Sequence, residues 1–202
     1  MSLLSSQLLR ENYASSSPSE DETTPKTFAA YVYFPILLPF HLEQCLQNLS
    51  ENLNADEPYA IIQPQFWHVS LSRPFSVEFK DIEPLVRTLN QQLGGCRAVR
   101  LGTKGVFQLA NEDESSHFAC VALEETSRED HQSVDLLIEN IDRIVQQFGC
   151  PRFHVPRRLH FSIARCDSEF AAFLLPVELR GHVFYLDEVE CRIGSKKYLI
   201  HL

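Results

Sequence analysis

Two short segments repeat one pattern, and that repeat restricts the folds open to this chain. The first is His68-Val69-Ser70-Leu71-Ser72-Arg73; the second is His160-Phe161-Ser162-Ile163-Ala164-Arg165. Each reads His, apolar, Ser, apolar, small, Arg. On a β-strand, successive side chains point to opposite faces. His68, Ser70 and Ser72 therefore share one face, and Val69 and Leu71 the other. In the second segment His160 and Ser162 point one way, while Phe161 and Ile163 point into a core. By the same alternation Arg73 and Arg165 point away from the histidines, as surface or structural charges. A His and a Ser two positions apart on a strand lie about 6–7 Å apart at Cα, a reach that suits an imidazole and a hydroxyl gripping one phosphate. Two such pairs facing each other supply a phosphodiester with an acid, a base and two hydroxyl donors. A single His-x-Ser triplet is a common accident, and the matched apolar alternation around both is what carries the signal.

The rest of the chain reads as an α+β protein. Residues 1–26 are rich in Ser, Glu, Thr and Pro and poor in large apolar side chains, which predicts a disordered tail. Residues 27–34 are aromatic and β-branched and predict a strand stopped by Pro35 and Pro39. Phe40, Leu42, Leu46, Leu49 and Leu53 predict a helix over 40–54, and Ile82, Leu85, Val86, Leu89 and Leu93 a second over 81–93, closed by Gly94-Gly95. Between them lie a Pro-containing loop over 55–65 and the first motif strand over 66–73, ended by Pro74. Strands are expected over 97–110 and 117–124. The longest helix is expected over 130–148, with Val134, Leu137, Ile138, Ile141, Ile144, Val145 and Phe148 on one stripe. The second motif strand covers 159–166. A closing hairpin is expected from strands 182–193 and 197–202, turning at Gly194-Ser195. The two motifs sit in different halves of the chain, each in a similar strand and helix neighbourhood. That predicts a single domain over 27–202 with two lobes related by a pseudo-twofold axis and a cleft between them.

The bulk properties bound the function. Apolar residues make up 44% of the chain, ample for a core. No run of 18 apolar residues exists, so no transmembrane helix and no membrane partner are expected. The first residues lack the basic-then-apolar order of a secretory signal, which points to an intracellular protein. The six cysteines form no Cys-x-x-Cys pair and show no zinc-ligand spacing, so free thiols in a reducing compartment are expected. No carboxylate cluster with metal-ligand spacing is visible, and neither metal nor cofactor is called for. The net charge of −9 argues against wide, non-specific binding to a nucleic-acid duplex. The acidic groups are clustered, however, while Arg152, Arg157, Arg158 and Arg165 gather around the second motif, enough for a short RNA path. Trp67 faces away from His68 and reads as core. His41, His117, His131, His182 and His201 have no motif context and read as surface or structural.

With its two His-x-Ser motifs the chain resembles the 2H phosphoesterase superfamily, and within it the U6 snRNA 3′-end phosphodiesterase family. Three further stretches carry the narrower likeness. Residues 28–35 (Phe-Ala-Ala-Tyr-Val-Tyr-Phe-Pro) resemble the family's first strand, 118–124 (Phe-Ala-Cys-Val-Ala-Leu-Glu) its central strand, and 190–196 (Glu-Cys-Arg-Ile-Gly-Ser-Lys) its closing hairpin. The resemblance implies a two-lobed α+β fold of antiparallel sheets flanked by helices, with the active-site cleft between the lobes. It implies that His68 and His160 are catalytic and that Ser70 and Ser162 bind the substrate phosphate. Ser72, on the same face, is a further candidate contact. The activity implied is metal-independent 3′→5′ trimming of an RNA 3′ end, that of U6 snRNA, by a nuclear enzyme that is expected to be a monomer. RNA carries its own nucleophile, the 2′-OH. One His would remove its proton, the other would protonate the departing 5′-oxygen, and a 2′,3′-cyclic phosphate or its opened 3′-phosphate would remain. The residues leave open which His is the base. The family places a base-stacking Tyr six residues before the second motif His; here that position is His154, with Phe153 beside it. Imidazole offers less stacking area than a phenol ring, which leaves the terminal-base preference open. Two alternatives stand: another 2H activity, of the 2′,5′-phosphodiesterase or the 2′,3′-cyclic phosphodiesterase or RNA ligase type, and a catalytically idle RNA-binding adaptor.

Overall fold

The computed structural model describes residues 26–202 apart from 54–57, 112, 127–132 and 154–155. The tail expected over 1–26 therefore lies, but for Lys26, outside the described residues, as do His131 and His154.

The described residues form two five-stranded antiparallel sheets. The first is centred on β1 (Thr27–Pro35). One edge of β1 pairs with β9 (Glu188–Ile193), which pairs in turn with β10 (Lys196–His201). Along its other edge β3 (His68–Ser70) and β4 (Phe75–Glu78) lie end to end. The second sheet runs β2 (Ala60–Ile61), β7 (His160–Cys166), β6 (His117–Glu125), β5 (Val99–Ala110), β8 (Val183–Leu186). Each sheet holds one motif strand, and β3 and β7 lie against each other where the sheets meet. The α+β class with paired antiparallel sheets is the expected one.

Among the described residues three α-helices pack on the sheets: α1 (Phe40–Glu51), α2 (Ile82–Leu93) and α3 (Val134–Gln146). The stripes of α2 and α3 do what the spacing predicts; on α1 Leu42 and Leu46 are buried, but Phe40, expected on the same stripe, is exposed and Leu53 lies past the helix end. Leu85, Leu89 and Leu93 on α2 are fully buried, as are Leu137, Ile138, Ile141 and Ile144 on α3. Each such side chain contributes about 1.5–3 kcal/mol by leaving water. The Ser133 hydroxyl caps α3 by accepting the Asp135 N–H at 3.3 Å. On the core side of the motif strands, Trp67 and Phe161 bring their rings to 5.8 Å between centroids. Trp67 is 3% exposed and donates its indole N–H to the Ile62 carbonyl, so it is core as read.

Two sequence expectations need correction. The run 182–193 is not one strand: β8 belongs to the second sheet, and β9 crosses to the first at Asp187. The Asp187 carbonyl accepts the Leu202 N–H at 2.9 Å, tying the crossing to the end of β10. The first motif strand is also shorter than 66–73. A 3-10 turn occupies Pro64–Phe66, regular pairing starts at His68, and it ends at Ser70.

Candidate active site

The two motif histidines are held in the same way. His68 Nδ1 lies 2.7 Å from the Phe66 carbonyl, and His160 Nδ1 lies 2.6 Å from the Arg158 carbonyl. In each case the partner is the residue two positions upstream. A carbonyl oxygen only accepts, so each Nδ1 carries the proton and donates. Nε2 is left as the ring nitrogen for proton transfer at both sites. A hydroxyl follows two positions downstream on each strand, at Ser70 and Ser162, and both serines are partly exposed. The structure thus holds four of the predicted site residues as two matched pairs on the adjoining strands β3 and β7.

Both imidazoles sit below the usual histidine range. For His68 burial is the main cause, opposed by the bond to the Phe66 carbonyl; nearby His160 and Arg192 lower it further and Glu190 raises it. For His160 burial again leads, opposed by the Arg158 carbonyl, with the Arg158 charge lowering it.

A bulge follows each motif serine and overturns simple alternation. On β3 the N–H groups of Leu71 and Ser72 both donate to the Val32 carbonyl, at 2.9 and 3.2 Å. Ser72 is turned inward, 3% exposed, and its hydroxyl accepts the Val32 N–H at 2.9 Å. The expectation that Ser72 shares the cleft face is therefore corrected: at the bulge Leu71 and Ser72 are both turned inward, so alternation breaks after Leu71. On β7 the extra residue is Ile163, because Cys120 opposes Ser162 while Ala119 opposes Ala164. Ala164, the counterpart of Ser72, is likewise fully buried. Past this bulge Arg165 opposes Phe118, which shares the face of Cys120 and Ala122, the partners of Ser162 and His160. Arg165 thus lies on the histidine face of the sheet, contrary to alternation. Its guanidinium donates to the Ser116 hydroxyl at 2.7 and 3.1 Å.

The surroundings of the two pairs differ. Around His68 stand Tyr33 and Tyr31, with ring centroids at 5.0 and 5.7 Å, themselves stacked at 4.9 Å. The Tyr33 hydroxyl donates to Glu190, which also meets Lys197 at 3.0 Å. Burial and this carboxylate together raise the Tyr33 pKa, so it remains a neutral donor. Around His160 the edge contact is Phe107, at 5.5 Å. A cavity of about 570 Å³ opens there, lined by Lys104, Phe107, Ala122, Arg157 and Arg158 among others. Beneath Ser162 lies Cys120, with Sγ 3.5 Å from its hydroxyl and the thiol pKa pushed up to about 12 by burial. Among the described residues, no group of three or more His, Cys, Asp or Glu side chains forms a metal site. Sequence reading missed Tyr31, Tyr33, Glu190, Phe107 and Cys120. Period-two spacing puts Tyr31 and Tyr33 on one face, but their proximity to His68 depends on the register that sets Tyr33 opposite Ser70.

The two sheets, each carrying a His-x-Ser strand, form a fold that is shared with solved phosphoesterase structures. Among solved structures, Kluyveromyces marxianus Usb1 superposes with a TM-score of 0.60 at 17% identity, covering 86% of this chain and 98% of that one. Escherichia coli LigT, in complex with 3′-AMP, superposes with a TM-score of 0.62 at 11% identity, covering 88% and 96%. The chain belongs to the HVSL family, described as "Uncharacterised conserved protein", whose profile matches residues 24–200. The letters of that label read as His68-Val69-Ser70-Leu71. Curated relatives include the "U6 snRNA phosphodiesterase 1" of Drosophila melanogaster, 24% identical over 143 residues, and that of Bos taurus, 25% identical over 191 residues. The matches cover 70% and 87% of this chain, and the chain spans 54% and 69% of those relatives' lengths.

Proposed function

We propose that residues 27–202 act as one two-lobed domain that cleaves RNA phosphodiesters without a metal, trimming a 3′ end in the 3′→5′ direction. The observation that carries this reading is the duplicated arrangement: an imidazole fixed through Nδ1 to the carbonyl two residues upstream, with a hydroxyl two residues downstream, present on both motif strands. One imidazole takes the proton of the 2′-OH as it attacks the adjacent phosphorus. The other gives a proton to the departing 5′-oxygen. Ser70 and Ser162 donate to the non-bridging oxygens, where negative charge grows in the transition state. The ring nitrogen required at each step is Nε2, because Nδ1 is committed to a backbone carbonyl. The names of the Drosophila and bovine relatives favour the U6 snRNA 3′ end as the substrate and the nucleus as the place of action. By sequence position, His154 with Phe153 beside it replaces the base-stacking Tyr that the resemblance implies.

The test is incubation of a U-tailed RNA with the protein in excess EDTA, with product termini read by mass spectrometry. Stepwise shortening that leaves a 2′,3′-cyclic phosphate or 3′-phosphate is the expected result. Opening of a 2′,3′-cyclic phosphate or cleavage of a 2′,5′ bond, without shortening, would place the chain with other 2H activities. Binding with no chemistry would make it an adaptor.

A further inference from the structure

We propose that Asp142 and Arg157 form a positioning pair for His160, an assignment that rests on the phosphodiesterase reading above. Asp142 lies on α3 and is 1% exposed. Its Oδ1 accepts the Phe153 N–H at 2.8 Å, and its Oδ2 lies 3.8 Å from Arg157 Nη2 and 3.9 Å from Arg152 Nε. Arg157 also donates from Nη1 to Asp135 Oδ1 at 2.9 Å. Asp135 and Asp142 stand two helical turns apart on one face of α3, so the guanidinium is held from both ends. The pair is a costly one. The carboxylate is out of water, and Arg157 Nε is buried with no hydrogen-bond partner among the described residues. Apolar packing at this place would carry neither penalty.

What the pair supplies is backbone geometry next to His160. In the first half-site the Phe66 carbonyl that fixes His68 belongs to a 3-10 turn, closed by Phe66 N–H to Gln63 and Trp67 N–H to Pro64 at 2.9 and 3.0 Å. In the second half-site Arg157, Arg158 and Leu159 have no regular secondary structure. The Arg158 carbonyl nevertheless has to point at His160 Nδ1. On one side of it the Leu159 carbonyl is tied by the Leu123 N–H at 2.9 Å. On the other side Arg157 is tied to α3 by the two carboxylates. The ion pair thus does for the second histidine what the turn does for the first. Both act on His160 through the backbone beside it, so Asp142 and Arg157 are positioning residues.

The experiment compares the wild-type protein with Arg157→Gln and with the double variant Asp142→Asn/Arg157→Gln. The double variant leaves no lone buried charge and keeps an acceptor for the Phe153 N–H, so it folds where a single variant fails. Nitrogen-15 NMR reads the imidazole tautomers of His160 and His68 in the same sample. The expected result is loss of the single Nδ1–H tautomer at His160 with His68 unchanged. Alongside it, single-turnover cleavage of the U-tailed RNA falls on the order of 10–10²-fold, with KM moving less than about twofold. A folded double variant with the wild-type His160 tautomer and rate overturns the proposal. Wild-type protein that does not cleave the RNA overturns the functional reading instead, and the tautomer measurement still decides the positioning role.

Discussion

The Ser72 hydroxyl accepts the Val32 N–H at 2.9 Å from within the bulge that ends the first motif strand. Val32 is fully buried, and its carbonyl already takes two N–H groups from the bulge. Its own N–H has lost its cross-strand partner, and Ser72 replaces it. Ser72→Ala removes the acceptor and strands a buried donor, which costs about 1–3 kcal/mol. Chemical or thermal denaturation is expected to show that loss, while the cleavage rate of the folded variant stays within about twofold of wild type. A drop in rate comparable to that of a motif-histidine variant would return Ser72 to the catalytic face.

This detail marks the limit of what the residues alone could reveal. The histidines, the first serine of each motif and the striped helices were legible because period two and period 3.6 are local properties. The facing of Ser72 and Arg165 was not, because a bulge is a property of the strand and its partner together. The run from His182 to Ile193 read as one strand because Asp187 is a single residue in an otherwise strand-forming stretch, yet there the chain changes sheet. The Tyr33–Glu190 bond spans 157 positions and exists only because β1 lies between β9 and β3.

The two histidines are expected to be indispensable. His68→Ala and His160→Ala each remove a positioned general acid or base, for a loss of about 10²–10⁴-fold in single-turnover cleavage. Both side chains are only partly buried and bond to the carbonyl of a nearby residue, so circular dichroism is expected to report an intact fold. More than about a tenth of wild-type activity in either variant contradicts the acid–base assignment.

Acidity should act on rate and stability in opposite senses. Catalysis requires one imidazole protonated and the other neutral, so kcat/KM is bell-shaped between their two pKa values. Burial lowers both below the ordinary histidine value, so the maximum lies on the acid side of about 6.5 and the rate falls as pH rises above it. For stability, a lowered folded-state pKa means that the unfolded chain binds more protons below about 6.5. The contribution from these groups is complete above that pH and is lost as pH falls toward the folded values. Melting temperatures measured against pH, for wild type and for His160→Ala, check the sign. The variant is expected to show a shallower fall on acidification, and a steeper one contradicts the burial argument.

Replacement of the penultimate ribose by 2′-deoxyribose should stop removal of the terminal nucleotide. On the proposed reading the site supplies an acid, a base and two phosphate donors and leaves the nucleophile to the RNA. A serine nucleophile would need an imidazole Nε2 as its base. With Ser70 and Ser162 matched across two half-sites, the symmetry suits division of acid and base better than a single attacking hydroxyl. The deoxy substitution leaves every phosphate oxygen in place, so binding through Ser70 and Ser162 should change little while chemistry is lost. Two oligonucleotides differing only at that ribose, compared by gel for cleavage and by anisotropy for binding, separate these effects. Equal cleavage of both excludes attack by the 2′-OH and leaves water or a serine as the nucleophile. Loss of binding together with cleavage would instead mean that the ribose hydroxyl is a recognition element, held by the site before any proton moves.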